Sequence, residues 1–214
     1  MKAVIDMSEH VADIEHQLWI NSCGAHAGTT ALEMLLSMSG KQVELDRLFT
    51  YYVLRDMAGY GDKDNGSRIR DIPKALKEIG CPPVSANNWL EQLLYFVGIV
   101  FGGWTKKPSS KRYEAAKQYR INDYERVADI RSALEQGRPV IVGMNLREAF
   151  NDCNWNSYSD SNPTFKHIMV VAGYADDAYL IVNSWGTSWG DGGMAWMPSP
   201  LLEADLYDAW SVSL

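Results

Sequence analysis

This sequence predicts an α+β fold of two lobes, a helical N-terminal lobe and a β-rich C-terminal one with a cleft between them. Three observations carry that expectation. Helical signals dominate the first half and β signals the second, the pattern of segregated rather than alternating elements. At 214 residues the chain can bury a large core as one domain or as two lobes. The helix that begins at Cys23 is apolar on most faces, which suits a helix buried through the middle of a domain.

Residues 1–16 are polar and read as irregular or extended. From Ala27 to Met38 the residues are alanine, leucine, methionine and small polar types, and Gly40 follows as a stop signal. A second helix is expected over 43–57, where Leu45, Leu48, Phe49, Tyr52 and Val53 recur at helical spacing. The glycine- and aspartate-rich run 59–67 is a loop by composition. It does not fit a calcium loop, because its glycine falls one position early and no glutamate follows at the bidentate position. A third helix is expected over 68–79, closed by Gly80 with Pro82 and Pro83 beyond.

The run 106–111 (KKPSSK) reads as an exposed connector, dividing a mainly helical lobe (17–105) from a mainly β lobe (106–214) of one catalytic domain. A turn or two of helix is expected over 113–119, then a short helix over 127–136 ended by Gly137 and a strand over 139–144. Residues 167–174 and 178–183 are β-branched and apolar across a short turn at Asp176 and Asp177, a hairpin pattern. A glycine-rich, aromatic run follows over 184–193, then a short strand over 194–197. No internal repeat is present.

Composition excludes several classes. The net charge of −7 argues against nucleic-acid partners and anionic membrane surfaces. No run reaches the ~20 apolar residues of a membrane span. The N-terminus has acidic residues at positions 6, 9, 13 and 15 and lacks the apolar centre of a signal peptide. Three scattered cysteines (Cys23, Cys81, Cys153) make no disulfide framework. Both facts predict a reducing, cytoplasmic setting.

Cys23 stands at the first turn of its helix, where unpaired N–H groups and the positive end of the dipole favour thiolate over thiol. A buried cysteine acting as a small hydrophobe is the plainer alternative, and the helix alone does not separate the two. His167 opens one strand of the expected hairpin and Asn183 closes the other, so folding sets imidazole and amide side by side. A core histidine and a turn asparagine are the plain alternatives for each taken singly. Together with Cys23 they give cysteine, then histidine about 140 positions on, then asparagine, an order and spacing of nucleophilic cysteine enzymes.

At this point the chain resembles a family. Gln17 ahead of Cys23, Lys166-His167-Ile-Met-Val-Val-Ala-Gly-Tyr174 and Asn183-Ser-Trp-Gly-Thr-Ser-Trp-Gly-Asp-Gly-Gly193 resemble the papain-like cysteine peptidases. Asp64-Asn-Gly66-Ser with 71–77, the run 129–140 and Asp208-Ala-Trp-Ser-Val212 look like the compact prokaryotic or viral members. The resemblance covers roughly 12–83 and 111–214. It implies a two-lobed papain-like fold and hydrolysis of peptide bonds through a thioester, with no cofactor and no metal. It implies Cys23 as nucleophile, His167 as base and later acid, Asn183 as the group orienting His167, and Gln17 with the Cys23 N–H as oxyanion donors. Trp185 would shield the His167–Asn183 bond, and Gly66 would offer a backbone edge to an extended substrate. Phe165, Asn65 and Leu206 suggest an apolar pocket wall.

Some positions depart from the family. Ile20 stands where a disulfide cysteine is usual, and Gly24 where an aromatic usually follows the nucleophile. Cys23-x-x-His26 invites a metal, but no zinc pattern completes around it, so His26 is expected to be a packed helix residue. Only 22 residues precede Cys23, which predicts no pro-segment. Peptide or protein substrates are therefore expected. Amide transfer or ligation with the same triad is the alternative, and a peptide-binding module without activity a more distant one. The resemblance fails over 87–106. There Leu93 to Trp104 carries no charge, and a buried core segment competes with a docking or self-association surface at 89–104 that could gate the cleft.

Overall fold

The computed structural model describes residues 3–84 and 103–214. All but the last two residues of the expected docking stretch at 89–104 lie outside the described residues. Helix α1 spans Cys23–Met38, α2 Arg47–Met57 and α3 Asp71–Glu78. As its composition predicts, α1 is buried along most of its length. It owes its close approach to α3 to small residues: a Cβ on Gly28 would stand 2.5 Å from Ile72 Cγ2. The same crowding explains Gly24, since a Cβ there would stand 2.2 Å from Ser67 Oγ.

Helix α2 begins later than its apolar spacing suggests. Asp46 caps it, accepting the Phe49 N–H at 3.0 Å, and the preceding residues run extended with Leu45 bridged to Pro83. A buried ion pair ties the two helices: Arg47 Nη2 lies 2.8 Å from Glu33 Oε2, and Glu33 Oε1 accepts the Leu45 N–H at 2.7 Å.

Seven antiparallel strands form one sheet: β1 (Ala3–Asp6), β2 (Asp123–Arg126), β3 (Val140–Leu146), β4 (Phe165–Ala175), β5 (Ala178–Val182), β6 (Met194–Pro198) and β7 (Leu206–Ser213). Their order is β2-β7-β3-β4-β5-β6. Strand β1 adds to β4 where β3 leaves off, and a Cβ on Gly173 would stand 2.5 Å from the Ile5 carbonyl. Three short helices complete the described chain: α4 (Ser110–Ala116), α5 (Ile130–Glu135) and α6 (Ser199–Asp205).

The sequence patterns find β3 to β6 and miss β1, β2 and β7. Strands β1 and β2 are four residues each, and β2 (DYER) has no apolar face to read. Strand β7 mixes polar with aromatic residues and is interrupted by a register shift. The segregation is also incomplete, because the first strand of the sheet comes from the N-terminus.

Candidate active site

The β4–β5 hairpin performs the juxtaposition that the sequence predicts. His167 lies near the start of β4, and Asn183 just past the end of β5. His167 Nε2 and Asn183 Oδ1 are 2.8 Å apart, and both residues are buried. Asn183 Oδ1 also accepts the Ser184 N–H at 2.8 Å, which fixes the amide's orientation. An oxygen cannot donate, so His167 Nε2 carries the shared proton and Nδ1 is left as the ring's acceptor. The Trp185 ring lies over this pair, its centroid 4.8 Å from that of His167. Phe150 and Trp189 brace Trp185 edge-on at 5.5 and 6.1 Å.

The opposite side is built from the loop before α1 and the helix's first residue. Cys23 is half-buried at that first position, and the backbone N–H of Ile168, the residue after His167, is near enough to favour its thiolate form. The thiol therefore sits against the strand that carries the imidazole. Gln17 is buried, and two bonds fix its side chain: Nε2 donates to the Ile20 carbonyl at 2.9 Å, and Oε1 accepts the Ser184 hydroxyl at 2.7 Å. One of its two amide hydrogens remains for a ligand. The Gln17 N–H also donates to the Ser184 carbonyl at 2.9 Å, which ties the loop to the residue next to Asn183.

Comparison with known proteins gives the same result. The model of the papain family of cysteine proteases matches residues 101–200. A peptidase C1-like protein of Acanthamoeba polyphaga mimivirus is 24% identical over 92% of this chain and 68% of its own length. Xylellain, a cysteine protease from Xylella fastidiosa, superposes with a TM-score of 0.82 at 27% identity, over 98% of this chain and 85% of its own. These matches support a papain-like cysteine peptidase. Bromelain from Ananas comosus shares the fold, with a TM-score of 0.71 at 16% identity over the whole of both chains.

The electrostatics of the site differ from the sequence expectation in one respect. The helix N-terminus should depress the Cys23 thiol, yet burial outweighs it and pushes the thiol up, against the lowering effect of the Ile168, Gly24 and Cys23 N–H groups. Burial also pushes His167 down to about 4, opposed by its bond to Asn183. A lone charge is thus disfavoured on either group. Charge can arise on both at once, by moving one proton between them, because each ion then neutralises the other.

The other predicted residues are placed unevenly. Phe165 is half-buried, its ring centroid 6.1 Å from that of Trp185. Gly66 adopts a left-handed φ of 72° facing the Asn21 carbonyl, and Asn65 beside it is exposed. Leu206 is held in the ladder opposite Met144. His26 is buried as expected, its Nδ1 3.2 Å from Ser22 Oγ, and burial first and the Arg47 charge second push it down to about 3. Cys81 is buried beside the Thr50 hydroxyl at 3.2 Å and plays no part in this site. Among the described residues no group of histidines, cysteines and carboxylates is placed to hold a metal.

Two residues that sequence reasoning missed hold the Gln17–Cys23 loop. Ser184 was legible only as a letter of the Asn-Ser-Trp-Gly run, yet it links Gln17 to Asn183. Asp64, legible only as a loop residue and as a letter of the Asp64-Asn-Gly66-Ser motif, accepts the Asn21 N–H at 2.9 Å and the Tyr51 hydroxyl, while Asn21 Nδ2 donates back to its carbonyl at 2.8 Å. Asp64 is thus a strut between α2 and the loop before Cys23. Only proximity in the fold shows that role.

Proposed function

We propose that the chain hydrolyses peptide bonds, with Cys23 as nucleophile, His167 as general base and acid, Asn183 as the residue that positions His167, and Gln17 as oxyanion donor. The observation that carries this is the 2.8 Å bond between His167 Nε2 and Asn183 Oδ1, which leaves Nδ1 as the ring's only proton acceptor. In the first step the Cys23 thiol gives its proton to Nδ1 as sulfur attacks the substrate carbonyl. The oxyanion takes the remaining Gln17 amide hydrogen and the Cys23 N–H, which as the first of the helix lacks an intrahelical partner. The imidazolium then protonates the leaving amine, the C–N bond breaks and a thioester remains. Water, deprotonated by His167, opens the thioester and releases the acid. An asparagine suffices behind His167, because the imidazolium is balanced by the thiolate rather than by a third charge.

Gly66, Asn65, Phe165 and Trp185 border the position of an extended peptide, Gly66 by its backbone. The acidic surface fits a protein or peptide substrate and not a nucleic acid. No helix among the described residues is long and apolar enough to cross a membrane. Three free cysteines suit a reducing, cytoplasmic compartment.

The test is product analysis on a peptide library with and without a competing amine. Acid products that vanish in Cys23→Ala are expected. Amine adducts as the main product would reassign the chain to acyl transfer, and no turnover at all would leave the peptide-binding reading.

A further inference from the structure

The loop before Cys23 is held on its outer side by a chain of contacts that starts far from the reacting groups. The rings of Tyr51 and Trp104 lie 5.8 Å apart, and Arg55 Cζ stands 4.6 Å from both centroids, so two rings and a guanidinium form a triangle. Tyr51 and Arg55 sit one turn apart on α2 and are fully buried, and Trp104 is half-buried. Arg55 Nη1 donates to the Gly61 carbonyl at 2.6 Å and Nη2 to the Trp104 carbonyl, so one planar fork ties the loop 59–66 to Trp104. From this triangle one contact leads toward the site. The Tyr51 hydroxyl donates to Asp64 Oδ1, the same oxygen that accepts the Asn21 N–H at 2.9 Å. Burial first and the bond to Asp64 second push the phenol up, so at neutral pH it stays a donor. Next to Asn21, the Ile20 carbonyl accepts Gln17 Nε2 at 2.9 Å. The same loop carries Leu18 at a φ of 55°, a conformation that persists only where the surroundings impose it. All three cysteines are free, so no disulfide braces it.

We propose that Tyr51, Arg55 and Trp104 are positioning residues for the oxyanion donor, aiming the Gln17 amide through Asp64, Asn21 and the Ile20 carbonyl. All three act through the loop and not on substrate. Each contact fixes the next: Arg55 and Trp104 hold the Tyr51 ring, its hydroxyl holds Asp64, and Asp64 holds the backbone of Asn21. Misaiming a donor costs rate, because the oxyanion takes that hydrogen bond only in the transition state. For the same reason it leaves substrate affinity unchanged. Alkylation of Cys23 by iodoacetamide supplies the contrast. That reaction displaces iodide at a saturated carbon and forms no oxyanion, so it depends on the sulfur and its base and not on Gln17.

This inference rests on the peptidase reading, and the experiment separates the two. Peptide turnover and Cys23 alkylation are measured side by side in wild type, Cys23→Ala, Tyr51→Phe, Trp104→Ala, Trp104→Phe and Asp64→Ala. A double variant joins Tyr51→Phe to Asp64→Ala, and melting curves confirm folding throughout. Tyr51→Phe keeps the ring and loses the hydroxyl. It should lower kcat by about five- to fiftyfold, with KM and the alkylation rate within about twofold of wild type. Trp104→Ala should show the same split, and Trp104→Phe, which keeps an aromatic face for Arg55, should recover most of the loss. Adding Tyr51→Phe to Asp64→Ala should cost nothing further, since the route is already cut. A folded Tyr51→Phe with wild-type kcat and Cys23-dependent turnover overturns this inference alone. So does a fall in kcat matched by an equal fall in alkylation, which general loosening of the fold would give. Additive losses in the double variant overturn the route through Asp64. Should Trp104→Ala fail to fold, Tyr51→Phe still decides. Wild type without Cys23-dependent turnover of any peptide overturns both readings.

Discussion

The two walls of the site are built by different means. On the sheet side, His167 and Asn183 lie at the ends of two buried, hydrogen-bonded strands, and the ladder fixes their separation. On the helix side, Gln17 to Ser22 is an irregular loop in which Leu18 takes a φ of 55°, a left-handed conformation costly for a β-carbon-bearing residue. That loop is held by side chains: His16 Nδ1 accepts the Leu18 N–H at 2.9 Å, Asp64 grips Asn21, and Ser184 grips Gln17. The contrast suits the chemistry. In the proposed mechanism the base must be oriented once and rigidly, whereas the oxyanion donors must point several N–H groups at one spot, which regular structure does not do.

If that division is right, removing the base should have the largest effect. His167→Ala is expected to lower kcat/KM by at least about a thousandfold, with the melting temperature changed little. It should also slow iodoacetamide alkylation of Cys23 at pH 6 by tenfold or more, since burial holds the unassisted thiol protonated. Asn183→Ala should cost less, roughly ten- to a hundredfold, because it alters orientation and leaves the base in place. Unchanged Cys23 alkylation in His167→Ala would show that the sulfur does not depend on the imidazole.

The helix side should respond in kcat and not in KM. Gln17→Ala is expected to lower kcat by about a hundredfold, as an oxyanion donor acts only in the transition state. Ser184→Ala, which frees Gln17 Oε1 but keeps the amide, should give a smaller loss in the same parameter. A Gln17→Ala enzyme with normal kcat and raised KM would place Gln17 in ground-state binding and break the contrast. Asp64→Asn keeps one acceptor for the Asn21 N–H and should have the mildest effect of the three.

The same contrast explains what was legible in the sequence. The sheet side announces itself, because β-branched runs on both sides of a short turn put His167 and Asn183 together without knowledge of the rest of the fold. The three helices and their stops at Gly40 and Gly80 are equally local, and both glycines take positive φ. The helix side is legible only as residue types at a spacing. Nothing near Asp64 or Ser184 in sequence shows what they hold, since their partners lie 43 and 167 positions away. Strand β7 was missed for a related reason: the bulge at Tyr207, whose ring lies over Gly143 of β3, breaks the alternation on which strand reading depends. The thiol was misjudged because a helix N-terminus can be read from sequence and the burial that opposes it cannot.

The smallest expected effect concerns stability and pH, and it distinguishes the buried histidines of the two walls from the buried carboxylate behind them. His26 on α1 and His167 on β4 have folded values of about 3 and about 4, below the ordinary histidine value of 6.5. Below pH 6.5 the unfolded chain binds their protons while the folded chain does not. Each histidine therefore removes stability as pH falls, at a limiting slope of about 1.4 kcal/mol per pH unit, until its folded value is reached. Glu33 works in the opposite sense. Burial, opposed by Arg47, raises its carboxyl to about 7. The folded chain holds that proton more tightly, so the stability it contributes is full below pH 4.5 and is lost as pH rises toward 7. Between pH 4.5 and 6.5 two histidines thus oppose one carboxyl. Urea unfolding at pH 4.5, 5.5 and 6.5 should show stability falling toward acid. His26→Asn, which retains a polar atom for Ser22, should make that fall shallower, and Glu33→Gln should make it steeper. A His26→Asn protein with the wild-type pH slope would mean that His26 is charged in the fold and that burial does not govern it.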